Sequence, residues 1–135
     1  MTKGGCLCGR VRYEVRGPAR EVLLCHCVEC LRWHGHFAAF TSAAREDLVI
    51  EDEATLRWTG SPDGDANARR GFCGECGSSL FWEAPGSNTV SIAAGTLDQP
   101  TGLRTAAHIY TSQRADYYEL PADGLPRYER GSGSG

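Results

Sequence analysis

Residues 25–30 read Cys25-His26-Cys27-Val28-Glu29-Cys30, which places three thiols within one short stretch. In an extended segment, successive side chains point to opposite faces, so Cys25 and Cys27 share one face and His26 points away from it. A turn through the next two residues brings Cys30 back toward the first two sulfurs. This spacing favours a single soft metal ion held by three thiolates.

Length, composition and charge exclude several classes of protein. The chain has 135 residues, and 41% of them are hydrophobic, which predicts a globular protein with one modest core. The formal net charge of -3 and the absence of a basic block argue against binding to nucleic acid. No apolar run is long enough to span a bilayer, and no secretory signal follows Met1. We therefore expect a cytoplasmic protein that does not associate with membranes; the sequence does not indicate its oligomeric state.

The seven cysteines are confined to residues 6–30 and 73–76. An odd number of thiols cannot pair fully within one chain, and the C-x-C and C-x-x-C spacings suit metal binding better than disulfides. Two cysteine pairs lie outside the first stretch: Cys6 and Cys8, and Cys73 and Cys76. Together they supply four thiolates, enough for a closed tetrahedral zinc site that would contribute to folding.

The remaining three thiols, Cys25, Cys27 and Cys30, then form a second metal site. Three protein ligands with an exchangeable fourth position are typical of a catalytic zinc. The alternative is a closed site with three cysteines and one histidine, completed by His34, His36 or His108. Another pairing, in which Cys6 and Cys8 join the second site, is conceivable. The division into four and three is preferred because each cluster is then one local unit.

Short periodic segments between turn signals predict a mainly β fold. The clearest is the alternation of Val11, Tyr13 and Val15 with charged residues. Further strands are predicted at residues 21–25, 37–41, 48–50, 55–59, 80–82, 89–94, 106–111 and 117–120, and a helical turn or loop at 31–36. Residues 61–65 predict a mobile turn. Residues 131–135 alternate glycine and serine, typical of a flexible added linker, so the predicted single domain covers residues 1–130.

The donor set of the second site indicates the kind of chemistry. A zinc ion with three thiolates carries a net charge of about -1, which makes it a weak Lewis acid for activating water. Such a site is better suited to binding an incoming thiol as its thiolate. The pattern therefore favours the making or breaking of a carbon–sulfur bond with a small aldehyde over hydrolysis.

Several motifs in order resemble one known family. They are the Gly-Gly-Cys-x-Cys-Gly-x-Val-x-Tyr run at residues 4–13, Cys-His-Cys-x-x-Cys at 25–30, Arg-Gly-Phe-Cys-x-x-Cys-Gly-x-x-Leu-Phe at 70–81, Gly-Thr-Leu-Asp at 95–98 and His-Ile-Tyr at 108–110. With these motifs, the chain from Gly4 to Tyr128 resembles the glutathione-dependent formaldehyde-activating enzymes, a family that also includes centromere protein V.

The resemblance implies a small fold of short antiparallel strands, shared with zinc-binding Rab exchange chaperones and stapled by zinc. It implies two zinc ions per chain: a structural one on Cys6, Cys8, Cys73 and Cys76, and a catalytic one on Cys25, Cys27 and Cys30. The implied activity is the addition of glutathione, or another small thiol, to formaldehyde, which is a carbon–sulfur lyase reaction in reverse.

Other residues are candidates for a substrate pocket. A substrate with two carboxylates should meet cationic side chains, and Arg32, Arg69 and Arg70 lie near the cysteine clusters. Residues that could line the pocket are His34, His36, His108, Trp33, Phe37 and Phe40, although core packing or ordinary surface positions explain them as well. Two further functions remain open: an enzyme of the same fold acting on another carbonyl or an imine, and a non-enzymatic zinc module that binds a protein partner.

Overall fold

The computed structural model describes residues 2–60 and 68–131. The predicted turn at 61–65 and residues 132–135 of the tail lie outside the described residues. Of the described residues, 41% lie in strands or β-bridges and 13% in helices, which confirms the predicted mainly β class. Among the described residues, no helix is long and apolar enough to cross a membrane.

The described elements are ten strands, one α-helix and three single-turn 3₁₀ helices. The strands are β1 (Thr2–Gly5), β2 (Arg12–Val15), β3 (Val22–Cys25), β4 (Ala38–Ala44), β5 (Leu48–Glu51), β6 (Leu56–Gly60), β7 (Arg69–Cys73), β8 (Ser79–Glu83), β9 (Thr89–Ala93) and β10 (Thr105–Ile109). The helix α1 covers Val28–His34, and the 3₁₀ turns cover Arg45–Asp47, Ala94–Thr96 and Thr111–Gln113. The chain divides into two compact units, Met1–Arg20 with Thr41–Gly102 and Glu21–Phe40 with Leu103–Gly135.

The first unit contains two antiparallel arrangements. Strand β2 lies between β1 and β5, and strands β6 to β9 form a meander in which each strand pairs with the next. The predicted alternation is confirmed, because Val11, Tyr13 and Val15 are all buried. The Tyr13 ring meets the buried Phe81 ring edge-on, with 5.3 Å between centroids. The apolar face of β2 and that of the meander therefore supply the core of this unit.

Strand β7 was not predicted, because its sequence carries two arginines in a row. The neighbouring strands provide interaction partners for Arg69, the first of these arginines. The Arg69 guanidinium lies 3.9 Å from the Trp58 ring centroid, and its Nε donates to Glu83 over 2.6 Å. Arg70 is buried. Partners on the neighbouring strands thus allow the basic strand β7 to join the meander. These partners lie too far away in the sequence to be recognised from the residues around β7.

In the second unit, β3 lies between β10, to which it is parallel, and β4, to which it is antiparallel. The chain after residue 120 returns along β10. The backbone N–H of His108 donates to the Pro126 carbonyl, and the N–H of Tyr128 donates to the His108 carbonyl, both over 2.9 Å. This returning segment pairs with the outer backbone groups of β10, which an unpaired edge strand would expose.

The predicted strand at residues 117–120 is wrong. The structure has a turn at Asp116 and Tyr117 and no strand in this segment. Adjacent residues of a strand point to opposite faces, whereas Tyr117 and Tyr118 both pack against the His36 ring, at 5.5 and 4.7 Å between centroids. The two tyrosines therefore serve a side-chain cluster rather than a sheet.

Candidate metal centres and the adjacent histidine–tyrosine cluster

The first unit brings four thiols together. The sulfurs of Cys6, Cys8, Cys73 and Cys76 all lie within 4.8 Å of one another, as their pairing in the sequence predicted. The Sγ atoms of Cys6 and Cys8 are 3.6 Å apart, and those of Cys8 and Cys73 are 3.8 Å apart. We call this set the four-thiol group. Its donor set is that of a closed tetrahedral zinc site.

Local backbone geometry builds the four-thiol group from two similar turns. Each turn ends at a glycine with positive φ, Gly9 at 84° and Gly77 at 81°, a conformation that favours glycine. The glycine N–H groups donate back to the carbonyls of Cys6 and Cys73, over 3.2 and 2.8 Å. These hydrogen bonds fold each thiol pair into a tight turn.

Hydrogen bonds also reach sulfurs of the four-thiol group, while desolvation and the neighbouring thiols raise the pKa of Cys8 to about 12. The Val11 N–H donates to the Cys6 sulfur over 3.3 Å, and the Glu75 N–H donates to the Cys73 sulfur over 3.4 Å. Hydrogen bonds from Ser78, whose Oγ is 3.2 Å from the sulfur, lower the pKa of Cys76 to about 5. Donors of this kind stabilise thiolates and orient metal ligands. The four residues therefore fit a bound cation.

The second unit holds the other three thiols. The sulfurs of Cys25, Cys27 and Cys30 lie within 4.8 Å of one another, and we call them the three-thiol group. Cys25 ends β3 and Cys27 is the N-cap of α1, so the strand and the first turn of the helix converge. The Cys27 sulfur accepts a hydrogen bond from the Cys30 N–H over 3.3 Å. Gly35, at φ 82°, ends the helix.

The three-thiol group also fits a soft cation. Hydrogen bonding with Cys27 and Cys30, together with burial, raises the pKa of the Cys25 thiol well above its usual range. Three adjacent thiolates would repel one another strongly, and a divalent cation removes that penalty. Cys25 and Cys30 are buried, whereas Cys27 is half-buried and gives solvent partial access.

Neither thiol group includes a histidine, and the four histidines have other partners nearby. His26 and His108 are fully buried and hydrogen-bonded to each other. Burial, followed by the neighbouring His108, lowers the pKa of His26 to about 4. His34 meets the Phe40 ring edge-on at 5.4 Å between centroids, and His36 forms a hydrogen bond with the Tyr117 hydroxyl. The histidines considered for a closed second site are therefore not brought into it.

The other residues predicted to line a substrate pocket lie in different parts of the structure. Arg32 is exposed on α1. Arg69 is committed to Glu83 and Trp58, and both it and Arg70 belong to the first unit, whereas the three-thiol group belongs to the second. Trp33 is 36% exposed, Phe37 is half-buried with its ring 4.8 Å from that of His26, and Phe40 is buried.

Sequence reasoning missed three residues of this cluster. Tyr118 and Asp123 form hydrogen bonds with the buried histidines, and Gln113 accepts a hydrogen bond from the Val28 N–H at the start of α1. Tyr118 and Gln113 are more than 80 positions from their partners in the sequence, and Asp123 lies in a segment of irregular structure. Neither periodicity nor spacing in the sequence indicates such contacts. Only the adjacent Tyr117 and Tyr118 stood out in the sequence, and they were interpreted as part of a strand.

Comparisons with known proteins show a family and support the fold. A protein-family model described as glutathione-dependent formaldehyde-activating enzyme matches residues 1–113. A search of curated proteins found no match. Among solved structures, the chain is similar to a crystal structure of a Rhodobacter sphaeroides protein, a Northeast Structural Genomics target, with 20% identity and a TM-score of 0.55. That match covers 93% of this chain and 98% of the other, and it supports the fold.

Proposed function

The chain belongs to the glutathione-dependent formaldehyde-activating enzyme family, and from that premise we propose that it joins a glutathione-like thiol to a small aldehyde at the three-thiol group. Family membership implies an enzyme of the carbon–sulfur lyase kind that takes a small-molecule substrate. The proposal adds where the reaction takes place, which metal ion takes part, and that a carbon–sulfur bond is formed.

One observation carries the proposal. Cys25, Cys27 and Cys30 bring three sulfurs within 4.8 Å, and no histidine, aspartate or glutamate among the described residues completes the group. Three protein ligands leave one coordination position for an exchangeable partner. The four-thiol group, in contrast, supplies a full tetrahedral set and is proposed as the structural zinc site.

Zinc held by the three-thiol group would supply a position where an incoming thiol binds as its thiolate. Cys25, Cys27 and Cys30 would hold the ion, and half-buried Cys27 leaves a side that a small thiol can approach. Three thiolate ligands give a divalent ion a net charge of about -1, which suits exchange of a soft ligand better than activation of water. Cys25 at the end of β3 and Cys30 in α1 are buried, and the Cys30 N–H donates to the Cys27 sulfur, so the local fold holds the ligands together.

The reaction balances without a further reactant. The thiol loses its S–H proton, its sulfur bonds to the aldehyde carbon, the carbonyl electron pair moves to the oxygen, and that oxygen takes up one proton. The product is an S-(hydroxymethyl) thiol adduct. The reverse reaction breaks the same carbon–sulfur bond and returns both reactants.

The proposal is tested by NMR exchange spectroscopy with ¹³C-formaldehyde and glutathione. We expect zinc-loaded protein to increase the rate of exchange between free formaldehyde and its glutathione adduct above the spontaneous rate, in proportion to the protein concentration. A second small thiol and a simple imine, assayed in parallel, measure specificity for the nucleophile and for the carbonyl. Exchange at the spontaneous rate with both zinc ions bound would contradict the proposal.

A further inference from the structure

Two similar turns hold the four-thiol group, and each is closed by its own backbone. The Cys6 N–H donates to the Val11 carbonyl and the Cys73 N–H donates to the Ser78 carbonyl, both over 3.0 Å. Both turns therefore hold their own shape. Bonds within one turn do not fix its distance from the other, so the spacing of the four sulfurs depends on contacts that cross between the turns.

One side-chain oxygen makes such a crossing contact. Leu7 stands between Cys6 and Cys8, and its N–H donates to the Ser78 Oγ over 2.9 Å, although 71 positions separate the two residues. The same Oγ lies 3.2 Å from the Cys76 sulfur. The Ser78 hydroxyl therefore contacts the backbone of the first turn and a metal-binding sulfur of the second.

The two contacts of this hydroxyl do not compete. A backbone N–H can only donate, so the Ser78 oxygen accepts from Leu7 through one of its two lone pairs. The hydroxyl proton is then free to point at the Cys76 sulfur. A sulfur that binds a metal ion carries no proton and can only accept, so the loaded group uses both the donor and the acceptor of this side chain.

Packing does little to place the tip of the first turn. The Leu7 side chain is 88% exposed, and Cys8 is exposed as well. Cys73, in contrast, is fully buried at the end of β7, with its sulfur 3.8 Å from that of Cys8. Polar contacts are therefore needed to keep the exposed tip beside the buried sulfur, and Ser78 supplies one.

We propose that Ser78 is a positioning residue for the metal at the four-thiol group: its hydroxyl joins the two turns and orients the Cys76 sulfur. Partners of this kind commonly set the affinity of a metal site although they do not touch the ion. This role depends on the proposed structural zinc site and is independent of the reaction proposed at the three-thiol group. Ser78 occupies an unspecified position of the motif at residues 70–81, so the motif alone does not indicate it.

Amide hydrogen exchange tests the bond between the turns. The Leu7 amide belongs to a highly exposed residue, so slow exchange with solvent deuterium reports a hydrogen bond rather than burial. In the zinc-loaded full chain we expect this amide to be protected. In Ser78→Ala it should exchange about fivefold faster, the effect of one lost hydrogen bond. Ser78→Thr, which keeps the hydroxyl, should restore the protection.

Cadmium-113 NMR of the full chain tests the effect on metal binding. Cadmium is a soft ion that replaces zinc at thiolate sites, and its resonance depends on the number of sulfur ligands, so the two thiol groups should give separate signals. We expect a competing chelator to remove cadmium from the four-thiol group of Ser78→Ala at about tenfold lower concentration than from that of wild type. The resonance of that group should also shift, because one sulfur has lost a hydrogen bond, and the three-thiol signal should not change.

The loss should be partial. A hydrogen bond from the Cys8 backbone to the Cys76 sulfur does not involve the Ser78 side chain and remains in the variant. Metal binding by the four-thiol group of Ser78→Ala should therefore be weakened rather than abolished, in contrast to the loss of a ligand itself.

Two further variants separate this role from a general effect on folding. Ser78→Thr should retain cadmium as wild type does. Ser87→Ala, in the same unit, removes a hydroxyl that accepts the Thr89 N–H over 3.2 Å, a local bond in which no cysteine takes part. It should leave both cadmium signals unaltered.

An unprotected Leu7 amide in the loaded wild-type protein would overturn the proposal, even where a variant fails to fold. Retention of cadmium by Ser78→Ala at wild-type strength would overturn it too, as would equal losses from Ser78→Thr and Ser78→Ala. A wild-type protein that takes up no metal at the four-thiol group would sink the structural zinc site together with the role of Ser78. If the cadmium and exchange results are as expected but wild-type protein accelerates no reaction with formaldehyde, the proposed reaction fails and the role of Ser78 stands.

Discussion

Cys73→Ser is expected to unfold the first unit and to abolish metal binding by the four-thiol group. Cys73 is fully buried at the end of β7, and its sulfur belongs to a group that joins residues 6–8 to residues 73–76. Binding of zinc to a structural site of this kind supplies about 10–16 kcal/mol at neutral pH. The whole stability of a small domain is about 5–15 kcal/mol, so loss of one ligand removes most of it.

Metal analysis combined with circular dichroism checks this expectation. The variant should hold at most one zinc ion per chain and should lack a cooperative thermal transition for the first unit. Cys27→Ser, which removes one sulfur from the other group, is the matched comparison. A Cys73→Ser protein that keeps two zinc ions and a wild-type melting temperature would show that this group contributes little to folding.

Cys27→Ser is expected to abolish catalysis while the protein stays folded. Cys27 is the N-cap of α1, and its sulfur accepts the Cys30 N–H. Serine is among the best N-cap residues, so the substitution retains the helix cap and removes only the sulfur ligand. About half of the zinc should be lost, and with it the position where a thiol would bind.

Comparison with Cys27→Ala separates the two roles of this residue. Both variants should be inactive, but alanine also removes the cap and should destabilise the protein by about 1 kcal/mol relative to serine. Denaturant unfolding measures that difference, and the exchange assay measures activity. Substantial activity in Cys27→Ser would mean that the chemistry takes place elsewhere in the chain.

Much of the candidate site could be predicted from the sequence, because cysteine spacing is a local and specific signal. Division of the seven thiols into four and three matches the two groups in the structure. Strand alternation also predicted that His26 points away from the sulfurs, and its ring lies among His108, Tyr118 and Phe37. The thiol pairs, the thiol triad and the direction of His26 follow from spacing within one or two turns of chain, whereas counting the seven thiols joined the two distant pairs.

The predictions that failed depend on long-range partners. The strand β7 requires Trp58 and Glu83 to accommodate Arg69, and neither is adjacent in the sequence. Tyr118 looks like part of a strand until the buried His26 is placed beside it, 92 positions away. The hydrogen bonds that link Tyr118, His26, His108 and Asp123 join three segments and leave no periodic trace in the sequence, so only the tertiary structure reveals them.

The most direct test of the central claim is a titration of cobalt-substituted protein with glutathione, followed by optical absorption. Cobalt in the three-thiol group should bind the thiol as a fourth sulfur ligand, so the thiolate-to-cobalt and d–d bands should change in a saturable manner. The same titration of Cys27→Ser should show no change, because only the four-thiol group would remain filled. An unchanged wild-type spectrum at saturating glutathione, with both groups loaded, would contradict an exchangeable fourth position at Cys25, Cys27 and Cys30.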